Sequence, residues 1–214
     1  MIMKQKKERY WSRYARLYDE YAEYVVGKTL RRKIIARLSE ERDLGEVIEC
    51  GCGTGYFTEM IAKNSRHVVA ADLSPEMLEA AKERLRGFRN ITLQMADCES
   101  LPFPPGRFDA LFLANILHII GRPQKALREG RRILRKGGLL FVISYTDYGM
   151  GWLEKLELGL RYFVTFGFPP AQGLRNYSPG GLSCLVEAAG FKVDETRLVK
   201  NRSNALFLKG VKIR

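Results

Sequence analysis

Carboxylates that end apolar runs, a cluster of glycines and one histidine are the residues of this 214-residue chain whose types and spacing could do chemistry. The densest group is "VIECGCGTGYFTEM", in which Glu49 precedes Gly51, Cys52, Gly53, Thr54 and Gly55. Glycines there let backbone approach a ligand with no Cβ in the way. The next apolar run ends on Asp72, whose carboxylate can accept hydrogen bonds from both hydroxyls of a ribose. Spacing then separates the ligands. A dinucleotide fingerprint, GxGxxG, sets its third glycine three positions after the second, and a P-loop adds a lysine. This chain has GxGxG, no such lysine, and Tyr56 and Phe57 where small residues would stand. Both phosphate readings lose ground to a smaller nucleoside ligand, with an idle turn as the alternative.

His118, in "NILHII" just after an apolar run, is the candidate general base; packing against a ligand is its other reading. Cys50, Cys52, Cys98 and Cys184 form no CxxC pair and have no histidine at ligand spacing, so they are read as structural thiols, with no metal.

The elements that must position these residues alternate in a regular order. Residues 46–50 read as a buried strand, 56–63 as a helix, and 67–72 as a second strand. "SPEMLEAAKERLRG" is a helix with Ser74 as cap, Pro75 in its first turn and an apolar stripe of Met77, Leu78, Ala81 and Leu85. Strands follow at 91–97 and 108–115. A helix opens at Pro123, turns Leu127, Gly130 and Leu134 inward, and closes at Gly137–Gly138 before a strand at 139–145. A capped helix over 178–190 precedes two final strands. Their short link, "KNRSN", permits only an antiparallel hairpin. The expected fold is α/β: Rossmann-like and doubly wound, a mostly parallel seven-stranded sheet with one antiparallel strand near the C-terminus, reversed at the end of the sheet. The glycine turn should lie where the strand order reverses.

With 46% hydrophobic and 28% charged residues, the chain is expected to form one globular domain over residues 1–214. The basic start lacks a secretory apolar core, and "FDALFLANILHII" falls short of a membrane span, so a cytoplasmic protein without a transmembrane segment is expected. The net charge of +12 is uneven: residues 1–43, 121–136 and 197–214 together carry +17, and the remainder −5. Those flanks suit an anionic partner or a plain solvated surface; the surface reading is favoured, because no compact basic run with interleaved aromatics occurs.

The order "VIECGCGTG", "VVAADLSPEMLEAAKERL", "ITLQMADCESLPFPPGRFDALFLANILHII" and "ALREGRRILRKGGLLFVIS" resembles the successive motifs of class I S-adenosylmethionine-dependent methyltransferases, in particular the UbiE/type 11 group. "YWSRYARLYDEY" is similar to the aromatic N-terminal segment of such enzymes, and "LSCLVEAAGFKV" to their last helix and strand. The resemblance implies S-adenosylmethionine as methyl donor and S-adenosylhomocysteine as product. It implies that Glu49 helps place the methionine end, and that Gly51, Gly53 and Gly55 pack against methionine and ribose. Asp72 would hold the ribose, Leu73 lie on the adenine, Asp97 and Cys98 face the adenine amino group, and Asn115 open the loop passing the sulfonium. Cys52, Met77 and Tyr18 complete the implied cofactor set.

Within that resemblance, residues 1–43 would form a helical lid and 146–177 a substrate-pocket insertion, rich in Trp152, Leu156, Leu160, Phe163, Phe166 and Phe168. A lid helix or a dimer contact is an equal reading of those side chains. The favoured function is methyl transfer to a quinone, lipid or similar small molecule. Alternatives are an RNA methyltransferase using the basic flanks, or a non-catalytic cofactor-binding regulator; the chain would be a monomer or homodimer.

Overall fold

The computed structural model describes residues 10–169 and 174–213. Seven strands form one sheet: β1 Glu46–Cys50, β2 His67–Asp72, β3 Ile91–Met95, β4 Phe108–Ala114, β5 Leu134–Thr146, β6 Phe191–Lys200 and β7 Asn204–Lys212. The helices are α1 Tyr18–Val26, α2 Lys28–Leu38, α3 Thr58–Lys63, α4 Pro75–Leu85, α5 Pro123–Ile133, α6 Trp152–Phe166 and α7 Pro179–Glu187. The strand order is β3-β2-β1-β4-β5-β7-β6, parallel except for β7, which runs against both neighbours. The order reverses between β1 and β4, so the glycine turn after β1 stands at the switch point, as expected.

The sheet is covered on both faces because its central strands are mostly apolar and alternate side chains point to opposite sides. Val47, Ala110, Phe112, Phe141 and Phe207 pack with Leu30 and Ile34 of α2 and Ile61 of α3. Ile48, Leu111, Leu113, Leu140 and Leu206 pack with Leu127 of α5 and Leu182 and Val186 of α7. Phe112 and Phe141 stack across β4 and β5, ring centroids 4.4 Å apart. Gly130 lets α5 lie close on the sheet: a Cβ there would stand 2.3 Å from Leu111 Cδ2.

Four expectations shift. The reversed strand lies not at the end of the sheet but between β5 and β6. The helix from Pro123 stops at Ile133, because Leu134 is already extended and paired with Phe108; Gly137 and Gly138 lie inside the irregular start of β5. The third strand ends at Met95, and Asp97 instead forms an isolated bridge with Ser100. The capped helices begin where expected: Ser74 accepts from the Met77 N–H at 3.1 Å and Ser178 from the Gly181 N–H at 3.0 Å, but the last helix is shorter, ending at Glu187. Among the described residues no helix is long and apolar enough to cross a membrane.

Candidate active site

The turn after β1 is tied to the end of β2. The N–H groups of Gly51 and Cys52 donate to Ala71 O at 2.8 and 3.0 Å. Gly53 N–H donates to Asp72 Oδ2 and Ser74 N–H to Asp72 Oδ1, both at 2.9 Å. These bonds fix the carboxylate on the wall of a cavity of about 180 Å³, beside Leu73, Ser74 and Met77. Burial raises the Asp72 pKa, opposed by the backbone N–H groups that it accepts. Gly53 is left-handed (φ +54°), and the place of its missing Cβ is open space, so a ligand can lie against bare backbone.

Ala96, Asp97, Cys98 and Glu99 form the next wall, and Asn115, Ile116 and Ile119 the one beyond β4. Asp97 is oriented by Glu99 N–H, which donates to Oδ1 at 2.9 Å. Asn115 is itself left-handed (φ 55°); its N–H donates to Ile143 O, and its Oδ1 accepts from Tyr145 N–H at 3.1 Å. That exchange holds the ends of β4 and β5 together.

Two of the anticipated cofactor residues stand elsewhere. Gly55 (φ +80°) faces α4, where a Cβ would meet Leu85 Cδ1 at 2.8 Å; it permits helix packing and does not line the cavity. Glu49 is buried below the turn, accepting from Thr58 Oγ1 at 2.5 Å, and burial pushes its pKa up to about 8. Gly51 does line the cavity, and its lack of a Cβ also makes room for Ile116, whose Cδ1 a Cβ there would meet at 2.8 Å.

Residues preceding the sheet close the site. Asp19 of α1 bonds Arg31 of α2 (2.5 Å), Thr54 of the glycine turn (2.8 Å) and Arg84 of α4 (2.5 Å). Arg31 lies over the Tyr56 ring at 3.4 Å. Trp11, Tyr14, Tyr18 and Tyr21 gather around Phe166 of α6. Burial pushes the Tyr18 phenol up to about 12, so it stays neutral. Trp11 Nε1 is buried with no hydrogen-bond partner among the described residues, a donor that suits an acceptor atom on a ligand.

A second cavity of about 510 Å³ shares Trp11, Tyr18, Ala22, Asn115 and Tyr145 with the first. Leu158, Tyr162, Phe163 and Phe166 of α6 supply its apolar wall; Thr146, Arg175, Asn176 and Asn204 are polar groups on it. His118 belongs to this second wall and not to the first. Its Nδ1 is buried without a partner, and burial pushes its pKa down to about 4, leaving the imidazole neutral. Sequence reasoning passed over Asp19, Arg31 and Tyr145, which no local pattern marks. Cys50, Cys52 and Cys98 are buried thiols, the first two held protonated by burial.

A methyltransferase-domain family model matches residues 48–142, from the middle of β1 into β5. The chain is 32% identical over 152 residues to demethylmenaquinone methyltransferase of Tropheryma whipplei, covering 70% of this chain and 62% of that protein. It is 33% identical over 150 residues to the ubiquinone/menaquinone biosynthesis C-methyltransferase of Azotobacter vinelandii (67% and 58% covered). Residues 48–142 thus form a methyltransferase domain of the class I, S-adenosylmethionine-dependent kind. Malonyl-[acyl-carrier protein] O-methyltransferase of Paenibacillus is 28% identical over 187 residues, covering 81% of this chain and 66% of that protein. The chain spans less than two thirds of these relatives' lengths. Its fold matches an S-adenosylmethionine-dependent methyltransferase of Aquifex aeolicus with a TM-score of 0.65 at 20% identity, covering 86% of this chain and 89% of that one. The family's methyl donor is S-adenosylmethionine. The bare backbone at Gly53, the pinned Asp72 carboxylate and the orphaned Trp11 N–H fit such a donor.

Proposed function

We propose that this methyltransferase binds S-adenosylmethionine in the first cavity and methylates a small, largely apolar molecule held in the second. The carrying observation is that the two cavities meet at Asn115 and Tyr145, one walled by a carboxylate-bearing turn and the other by aromatic side chains. When bound, the donor supplies an electrophilic methyl group on a sulfonium. Asp72 holds the ribose, Asp97 and Cys98 border the adenine, and Gly51, Cys52 and Gly53 flank the methionine portion. Residues 10–26 act as lid, with Trp11, Tyr18 and Ala22 on the shared wall excluding water. In this reading α6 and the segment after it form the acceptor pocket.

His118 is the proposed proton acceptor. A neutral ring with so low a pKa is a weak base, so it takes a proton only as methyl transfer makes that proton acidic. Transfer of label from S-adenosylmethionine to reduced quinones and to lipid extracts, but not to RNA, is the expected result. His118→Gln should lower kcat by about 100-fold with little change in KM. Label entering RNA, with binding that weakens steeply in salt, would replace this reading with the nucleic-acid one.

A further inference from the structure

Helix α6 is apolar on both sides. Arg161 and Phe166 are buried and Tyr162 is half-buried, facing inward. The outward side presents Trp152 (75% exposed), Leu153, Leu156, Leu160, Val164 (75%) and, just beyond the helix, Phe168 (80%). A continuous stripe of this kind on one helix is far from the scattered exposed apolar residues of an ordinary surface. Phe163 belongs both to this exposed side and to the wall of the second cavity, so the apolar surface runs into the proposed acceptor site.

The charges around the stripe favour one occupant. The acids near it are engaged: Glu154 accepts the Gly151 N–H at 2.7 Å, Glu157 accepts from Arg202 at 2.5 Å, and Asp147 lies 3.6 Å from Lys155. At the far end of the helix, Tyr10 bonds Tyr162 and Phe166 O, and the Arg13 guanidinium lies over the Tyr10 and Tyr14 rings. Residues 10–17 there carry the exposed Arg13 and Arg16 and no acid. A second copy, itself of net charge +12, would set the same cations against these, whereas an anionic surface is attracted to them.

We propose that α6 docks this protein on an anionic lipid bilayer, its stripe set among the acyl chains and Arg13 and Arg16 on the headgroups, so that the second cavity opens toward the membrane. An amphipathic helix with Trp, Phe and Leu on one side and basic groups beside it binds such an interface by buried area plus charge. This goes beyond the acceptor reading and needs no acceptor, so either can fail alone.

The test is flotation of the full chain with vesicles of equal parts phosphatidylcholine and phosphatidylglycerol, and with phosphatidylcholine alone. The protein should float with the mixed vesicles at low salt, and brominated acyl chains should quench the fluorescence of Trp152. The variant Trp152→Ser/Leu156→Ser/Val164→Ser should bind about tenfold more weakly or worse, with unchanged circular dichroism and S-adenosylmethionine affinity. Failure to float with mixed vesicles, equal binding to both vesicle types, or undiminished binding by the variant would overturn the proposal. So would sedimentation showing a dimer that the same substitutions dissociate, since a second copy would then cover the stripe.

Discussion

Asp72 and Glu49 are two carboxyl groups a strand apart, in environments that give them different tasks. Asp72 ends β2 and accepts two backbone N–H groups beside the cavity; Glu49 sits under the turn with one hydroxyl donor. Burial raises the Glu49 pKa from its ordinary 4.5 to about 8, so between those values the folded protein holds a proton that the unfolded chain has released. The contribution of Glu49 to stability is therefore greatest below pH 4.5 and falls as pH rises toward 8. Glu49→Gln keeps an acceptor for Thr58 and removes that dependence. Its melting temperature should match wild type near pH 5 and exceed it at pH 8, by the equivalent of about 2 kcal/mol. A difference that does not change with pH would show that Glu49 is ionised in the folded protein. Sequence alone identified Glu49, but strand position does not tell whether a carboxyl faces the ligand or the layer beneath it. Gly55 carries the same lesson: GxGxG spacing marks three permissive positions, and only the packing of Leu85 assigns the last of them to a helix.

At the scale of elements, one side chain joins four pieces of the fold. Asp19 of α1 ties α2 through Arg31, the glycine turn through Thr54 and α4 through Arg84. The Arg31 side chain is 3% exposed, so loss of its partner leaves a buried charge less well compensated. Asp19→Asn should cost about 3 kcal/mol of stability by denaturant unfolding and also weaken S-adenosylmethionine binding, because Thr54 borders the cavity. A stable variant with unchanged affinity would mean that α1 does not hold the turn. None of this was legible beforehand: Asp19 and Arg31 sit in segments whose aromatic and basic composition suggested a lid, without saying which polar groups would fasten it. The short α3 and α7, by contrast, lie where turns and caps placed them, because Ser178 and the apolar spacing that follows are local signals.

At the scale of the molecule, the alternation of buried runs and amphipathic stretches was enough for the doubly wound sheet and for the glycine turn at its switch point. The reversed strand was expected at the end of the sheet, although a signal for its interior place existed. "ALFL" in β7 is continuously apolar and buried, as a strand between two neighbours must be, while "FKVDETRLVK" in β6 alternates polar and apolar residues, as an edge strand does. The two adjoining cavities were legible only in part. The first is built from strand ends that carry recognisable residues; the second depends on how α6 and the aromatic N-terminal residues fold together around Phe166.

The central claim is that the turn after β1 and the carboxylate ending β2 form the donor site, and calorimetric titration with S-adenosylmethionine tests it most directly. One equivalent should bind the wild-type chain, and Asp72→Asn should bind about 10- to 100-fold more weakly, the loss of charge-assisted hydrogen bonds worth about 1.5–3 kcal/mol. No binding by the wild-type chain, or equal affinity of the two proteins, would contradict the account.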